Sequence, residues 1–172
     1  AAVEVSREKI ASYLNINPKR LIFTSGATEA NNLGLVGHAR AKAQLIGKPG
    51  HIITVSTEHH AVLDPLRQLQ KEGFRLTELQ PNKEGLINID QLSEAFEKDT
   101  FLVSVMAANN EIGVLQPIGD IGSFCKRKGI AFHSDAAQAF GYLDLNPDKF
   151  RIDLMSLSAH KIYGPKGIGA LV

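Results

Sequence analysis

Asp153-Leu-Met-Ser-Leu-Ser-Ala-His-Lys161-Ile-Tyr-Gly-Pro-Lys-Gly-Ile-Gly169 opens as a short apolar run and closes in a glycine-rich turn. A run of this length, bounded by turn residues and apolar on both faces, reads as a strand buried within a sheet. Five further runs upstream share this character. They are Leu21-Ile-Phe-Thr24, His51-Ile-Ile-Thr-Val55, Phe74-Arg-Leu-Thr-Glu-Leu79, Phe101-Leu-Val-Ser-Val-Met106 and Gly129-Ile-Ala-Phe-His133. Ile168-Gly-Ala-Leu-Val172 begins one more. Between the runs, residues 27–46, 59–72, 90–97 and 117–128 carry helical spacing, with Gly47, Gly73 and Gly129 as stops. The first residues also have helical spacing at Val3, Val5, Ile10 and Leu14, and Pro81–Gly85 reads as a turn.

Strands separated by helices require crossover connections. The expected fold is therefore α/β, a three-layer sandwich with a mostly parallel sheet covered on both faces. In such sheets, ligands collect beyond the carboxyl ends of the strands. The polar constellations of this chain all fall at such places.

The chain has 172 residues, 44% of them hydrophobic, enough for one domain with a core. Its 19 Lys+Arg and 18 Asp+Glu give a formal charge of +1, with the cations scattered, which argues against a nucleic-acid partner. Apolar runs too short to span a bilayer, and no N-terminal signal pattern, argue against a membrane. A single cysteine, Cys125, excludes an internal disulfide framework and fits a reducing compartment, so a cytoplasmic location is expected.

Lys161, at the end of the last strand, is expected in a low-dielectric pocket where it can lose its proton and form a Schiff base. Asp135 ends another apolar run; a carboxylate there can keep a ring nitrogen protonated, although an ordinary N-cap is also credible. Gln138 shares its face if a helical turn starts at Ser134. Lysine plus carboxylate is the protein's half of pyridoxal phosphate (PLP) chemistry. Thr24-Ser-Gly-Ala-Thr-Glu-Ala-Asn31 opens a long helix, where Gly26, free N–H groups and the Thr28 hydroxyl favour a phosphate; plain capping is the commoner meaning of such a string. Glu58-His59-His60 offers a histidine to stack on a planar cofactor or shuttle protons, against one capping and one solvated histidine. Asn109-Asn110 offers amide donors, or is simply a turn. His59, His60, His133, Asp135 and His160 raise a metal site as a rival, but none has the tight spacing of common zinc motifs.

Together, Ser25-Gly-Ala-Thr-Glu-Ala-Asn-Asn32, Thr57-Glu-His-His-Ala-Val-Leu-Asp64, Asn109-Asn-Glu-Ile-Gly113, Asp135-Ala-Ala-Gln138 and Ser158–Gly169 resemble the cysteine desulfurases. The resemblance is to the NifS/IscS branch of the class V aminotransferase superfamily, and it runs in the family's order from about residue 20 to the end. It implies a fold-type-I PLP large domain over residues 1–172, incomplete, with an N-terminal segment and a C-terminal small domain absent. It implies that Lys161 holds PLP covalently and moves the Cα proton of the substrate. Asp135 would pair with the pyridinium nitrogen, and His59 would stack on the ring and assist proton transfer. Gln138 would bond the phenolic oxygen and Asn110 the substrate carboxylate, while Ala27, Thr28, Ser158 and His160 would bind the phosphate.

The implied reaction takes L-cysteine to L-alanine and leaves a persulfide on an enzyme cysteine. The implied partners are a sulfur-acceptor or scaffold protein of iron–sulfur assembly and a second copy in a homodimer. The family's nucleophilic cysteine and a substrate-gripping arginine lie beyond this chain, which ends 11 residues after Lys161. Cys125, in a helical segment, is an unsuitable substitute even though Lys126, Arg127 and Lys128 would lower its pKa somewhat. The piece alone is therefore expected to be inactive. The remaining alternatives are a related PLP C–S lyase or aminotransferase, a non-catalytic fragment of the fold, and, more remotely, a metal-dependent hydrolase.

Overall fold

The computed structural model describes residues 2–172. Its strands are β1 (Ile22–Thr24), β2 (His51–Val55), β3 (Arg75–Leu79), β4 (Thr100–Ser104), β5 (Ala131–Asp135), β6 (Leu154–Ser158) and β7 (Gly169–Leu171). They form a seven-stranded sheet in the order β1-β7-β6-β5-β4-β2-β3. The pairs β2/β3, β2/β4, β4/β5 and β5/β6 are parallel, whereas β7 runs antiparallel to both β1 and β6. The mostly parallel α/β sheet follows from strands that alternate with helices along the chain.

The strand runs are apolar on both faces because both faces are covered. Ile53, Val55, Val103, Phe132 and Met155 pack with helices α1 (Ala2–Leu14), α5 (Ile89–Ala95) and α6 (Ile118–Lys128) through Leu14, Leu92, Ile121 and Phe124. Their neighbours Ile52 and Leu102 point the other way, onto Leu35, Ala39 and the Val62, Leu66 and Leu69 stripe of α4 (His60–Lys71). Alternation of side chains along each strand divides the core in two. Among the described residues, no helix is long and apolar enough to cross a membrane.

The expected helix over 27–46 is a continuous helical run with a change of pitch. It comprises α2 (Ala27–Asn31), a π-helical turn (Asn32–Val36) and α3 (Gly37–Ile46), which ends at the left-handed Gly47. A short α7 (Pro147–Phe150) leads into β6. At α1 the helix is as expected, but Val3 and Val5 are exposed while Ala11 and Leu14 are buried. Residues two apart lie on opposite sides of a helix, so the four apolar positions never formed one stripe.

Gly169 positions the upper corner of the sheet. A Cβ there would lie 2.5 Å from the Gly26 backbone and 2.6 Å from the Leu157 carbonyl oxygen. With hydrogen in that place, β7 can pin the turn that opens α2 against the ends of β1 and β6.

Candidate active site at the carboxyl edge of the sheet

The loops that follow β1, β2, β4, β5 and β6 converge on one cavity of about 410 Å³. All nine residues singled out from the sequence line it: Ala27, Thr28, His59, Asn110, Asp135, Gln138, Ser158, His160 and Lys161. They come from five segments spread over more than half the chain, and only parallel strands ending at one edge bring them together.

One end of the cavity is rich in donors. Gly26 precedes the first turn of α2, where Ala27 and Thr28 present helix N-terminal groups. The turn is fixed by Thr24 Oγ1 donating to the Gly26 carbonyl oxygen at 2.9 Å and by Ser25 N–H donating to the Glu29 carboxylate at 2.6 Å. That N–H holds Glu29 below its ordinary carboxylate range. Ser158 Oγ and His160 Nδ1, also on the cavity lining, lie 2.8 Å apart at the end of β6.

Asp135 ends β5 with its side chain 6% exposed. Ala137 N–H donates to Oδ1 at 2.9 Å and Asn31 Nδ2 to Oδ2 at 2.7 Å. Burial raises the pKa of this carboxyl, opposed by those two donors and by His59. The turn that carries Gln138 starts after Asp135, with Ala139 N–H bonded to the Ala136 carbonyl oxygen, and not at Ser134 as the spacing suggested. Asp135 caps this turn, and its carboxylate also lines the cavity.

His59 is the N-cap of α4, its Nδ1 accepting Ala61 N–H at 3.0 Å, and its exposed ring also lines the cavity. In the neutral ring that bond leaves the proton on Nε2. His60 points to solvent beside Asp64. The asparagine pair divides in the same way. Asn109 is buried and builds the turn, donating to the Thr57 carbonyl oxygen and accepting Glu111 and Ile112 N–H, while Asn110 is exposed on the cavity wall.

Two expectations are corrected. Lys161 is exposed, because it stands on the 3₁₀ turn Ala159–Ile162 that carries it beyond the end of β6. It lies at the rim of the cavity and not in a low-dielectric pocket. Cys125 is 1% exposed within α6, and burial pushes its thiol up to about 12, with Asp153 reinforcing the effect. Desolvation thus outweighs any lowering by the cationic end of that helix.

Sequence reasoning did not foresee the place of several residues. Asn31, wholly buried, holds Asp135, and nothing but the helix register distinguishes it from the exposed Asn32. Glu58 is buried behind Met106, and a carboxyl next to the apolar run Ile52–Val55 was its available signal. His133 is wholly buried between Ser104 Oγ, 2.8 Å from Nδ1, and Ser156 Oγ, 3.1 Å from Nε2. Lys166 joins Lys161 on the wall.

The cavity thus brings together a buried carboxylate, an exposed lysine and the N-terminal turn of α2. The class-V aminotransferase family model matches residues 1–172, and the chain belongs to that family. Members of the family are pyridoxal phosphate enzymes, and the architecture is that of fold type I. Among similar proteins, a probable mitochondrial cysteine desulfurase of Schizosaccharomyces pombe is 55% identical over 169 residues, covering 98% of this chain and 33% of the relative. The cysteine desulfurase IscS of Dechloromonas aromatica is 52% identical over 171 residues, covering 99% of this chain and 42% of the relative. Among solved structures, SspA in complex with cysteine superposes with a TM-score of 0.94 at 46% identity, covering 99% of this chain and 48% of that one. The chain thus spans between a third and a half of the length of these relatives.

Proposed function

We propose that this chain is the cofactor-binding part of a PLP-dependent cysteine desulfurase. The observation that carries the reading is the convergence of Lys161, Asp135, His59, Gln138, Asn110 and the Ala27–Thr28 helix start on one cavity. The residues present suit the group. The α2 N-terminus, Ser158 and His160 match a phosphate in charge and donors, and the buried Asp135 is an acceptor fit for a protonated ring nitrogen.

Bound there, PLP supplies an electron sink for negative charge at the substrate Cα. The Lys161 amine anchors the cofactor and then takes and returns the Cα proton. With the cofactor bound, Asp135 would keep the proton on the ring nitrogen, Gln138 would donate to the phenolic oxygen and His59 would cover one face of the ring. Asn110 holds the carboxylate of L-cysteine. In the overall exchange the substrate C–S bond breaks and a thiol gains the sulfur: L-cysteine plus a protein thiol gives L-alanine plus a protein persulfide. Cys125 is buried away from the cavity with its proton firmly held, so the accepting thiol is one that this chain does not carry. The persulfide sulfur then passes to an acceptor or scaffold protein of iron–sulfur assembly, the enzyme acts as a homodimer, and it works in the cytoplasm.

The test is to add PLP to the purified protein, reduce with borohydride and map the adduct by peptide mass. A pyridoxyl group on Lys161, lost in Lys161→Ala, is the expected result. A folded protein without an adduct would overturn the cofactor role.

A further inference from the structure

We propose that Asn31 is a positioning residue for the cofactor, holding the Asp135 carboxylate unprotonated and aimed at the ring nitrogen. This rests on the PLP reading above and goes beyond it by naming how the carboxylate is kept in its working form.

Asn31 is 0% exposed, and its Nδ2 donates to Asp135 Oδ2 at 2.7 Å, from a helix to a strand end 104 residues away. Ala137 N–H occupies Oδ1. Both N–H groups bond more strongly to a charged oxygen than to a neutral one, so this arrangement favours the ionised carboxylate and leaves a lone pair on each oxygen for a further donor. The opposite orientation of the amide would place Asn31 Oδ1 against Asp135 Oδ2. Those are two acceptors, compatible only with a protonated carboxyl. Amide orientation and carboxylate charge therefore form one equilibrium.

The fold accepts a cost for this orientation, because Asn31 Oδ1 is buried without a hydrogen-bond partner. The π turn Asn32–Val36 begins directly after Asn31 and seats the helix on the sheet at Gly34. A Cβ on Gly34 would lie 3.2 Å from the Leu171 side chain and 3.8 Å from His133 Cδ2. This approach places Asn31 over β5 and the Asp135 carboxylate.

Other titratable groups surround Asp135. Glu58, from the loop before α4, opposes its charge, and His59 favours it. His133 lies two residues back on β5, held neutral, and Lys161 and His160 share the cavity. Asn31 is the side chain that donates directly to Asp135.

The discriminating experiment measures dissociation constants for two ligands in the full-length protein. One is PLP; the other is an analogue in which C–H replaces the ring nitrogen. Asn31→Leu should weaken PLP about tenfold and the analogue less than about twofold, because Asn31 acts through the nitrogen that the analogue lacks. Asn31→Ser, which keeps a short donor, should recover part of the loss. Equal weakening of both ligands, as a merely structural role would give, overturns the proposal; so does no weakening of either. Should Asn31→Leu fail to fold, Asn31→Ala removes the donor without adding bulk and carries the same comparison. Absence of a borohydride-trapped adduct on wild-type Lys161 would bring down the cofactor reading, and this inference with it. Binding by the wild type with equal losses in the variants overturns the inference alone.

Discussion

Met106 N–H donates to Glu58 Oε1 at 2.5 Å, tying the loop after β4 to the loop after β2 across 48 positions of sequence. The second carboxyl oxygen, Oε2, is buried without a hydrogen-bond partner. Burial, reinforced by the negative charge of Asp135, outweighs the Met106 N–H and pushes Glu58 well above its ordinary value of 4.5. The bond joins two walls of the cavity and holds a carboxyl of raised pKa behind them.

A carboxyl raised in the folded state makes stability fall as pH rises. Below 4.5 Glu58 is protonated folded and unfolded, and its ionisation costs nothing. As pH climbs towards the folded value, the unfolded chain releases its proton first and gains stability relative to the fold. Glu58→Gln keeps the acceptor for Met106 N–H and cannot ionise. Urea unfolding of the variant should show a flatter decline of stability above pH 4.5 than the wild type. Parallel profiles would show that Glu58 ionises as easily inside as outside.

His133 gives the opposite sign. Burial lowers its pKa from 6.5 to about 3, so its neutral form stabilises the fold fully above 6.5. That contribution drains away as pH falls from 6.5 towards 3, because the unfolded chain takes up the proton first. His133→Gln loses the paired bonds to Ser104 and Ser156 and should be about 2 kcal/mol less stable at pH 8. The gap to the wild type should close on acidification. A gap independent of pH would mean that His133 does not titrate with folding.

Cys125 should be silent in the native state. With its thiol raised to about 12 and 1% exposed, it has almost no thiolate near neutrality. Ellman's reagent should react only after denaturant is added, and Cys125→Ala should leave PLP binding unchanged. Rapid native labelling would contradict the burial of α6.

Two glycines in helices should respond oppositely to alanine. A Cβ on Gly122 would lie 1.9 Å from the Phe150 carbonyl oxygen, so α6 could no longer lie against α7. Gly122→Ala should cost about 3 kcal/mol or more. Gly37 is helical and exposed, with nothing within 4 Å of an added Cβ. Gly37→Ala should therefore gain about 0.5–1 kcal/mol. Thermal melts of the two variants check both.

Strands β1 to β7 and the long helices were legible because apolar runs and helical spacing are local signals. The nine cavity residues were legible as motifs at strand ends, where glycine turns and polar clusters interrupt those runs. The π turn was not, since Asn32-Leu-Gly-Leu-Val36 has ordinary helical composition and its extra residue is set by the seating of Gly34 on Leu171 and His133. Nor was the division of labour between Asn109 and Asn110, or between His59 and His60, because adjacent residues differ only in which way the loop turns them.

The sequence by itself determined the α/β class, the strand ends where chemistry collects, and the residue types held there. Period and turn chemistry act over a few residues and need no distant partner. Only the tertiary structure decided the environment of each group. It put Asn31 on Asp135, sealed Glu58 behind Met106, left Lys161 at an open rim and buried Cys125. Desolvation and hydrogen bonding depend on neighbours tens of residues away, and those neighbours exist only once the sheet has closed its order.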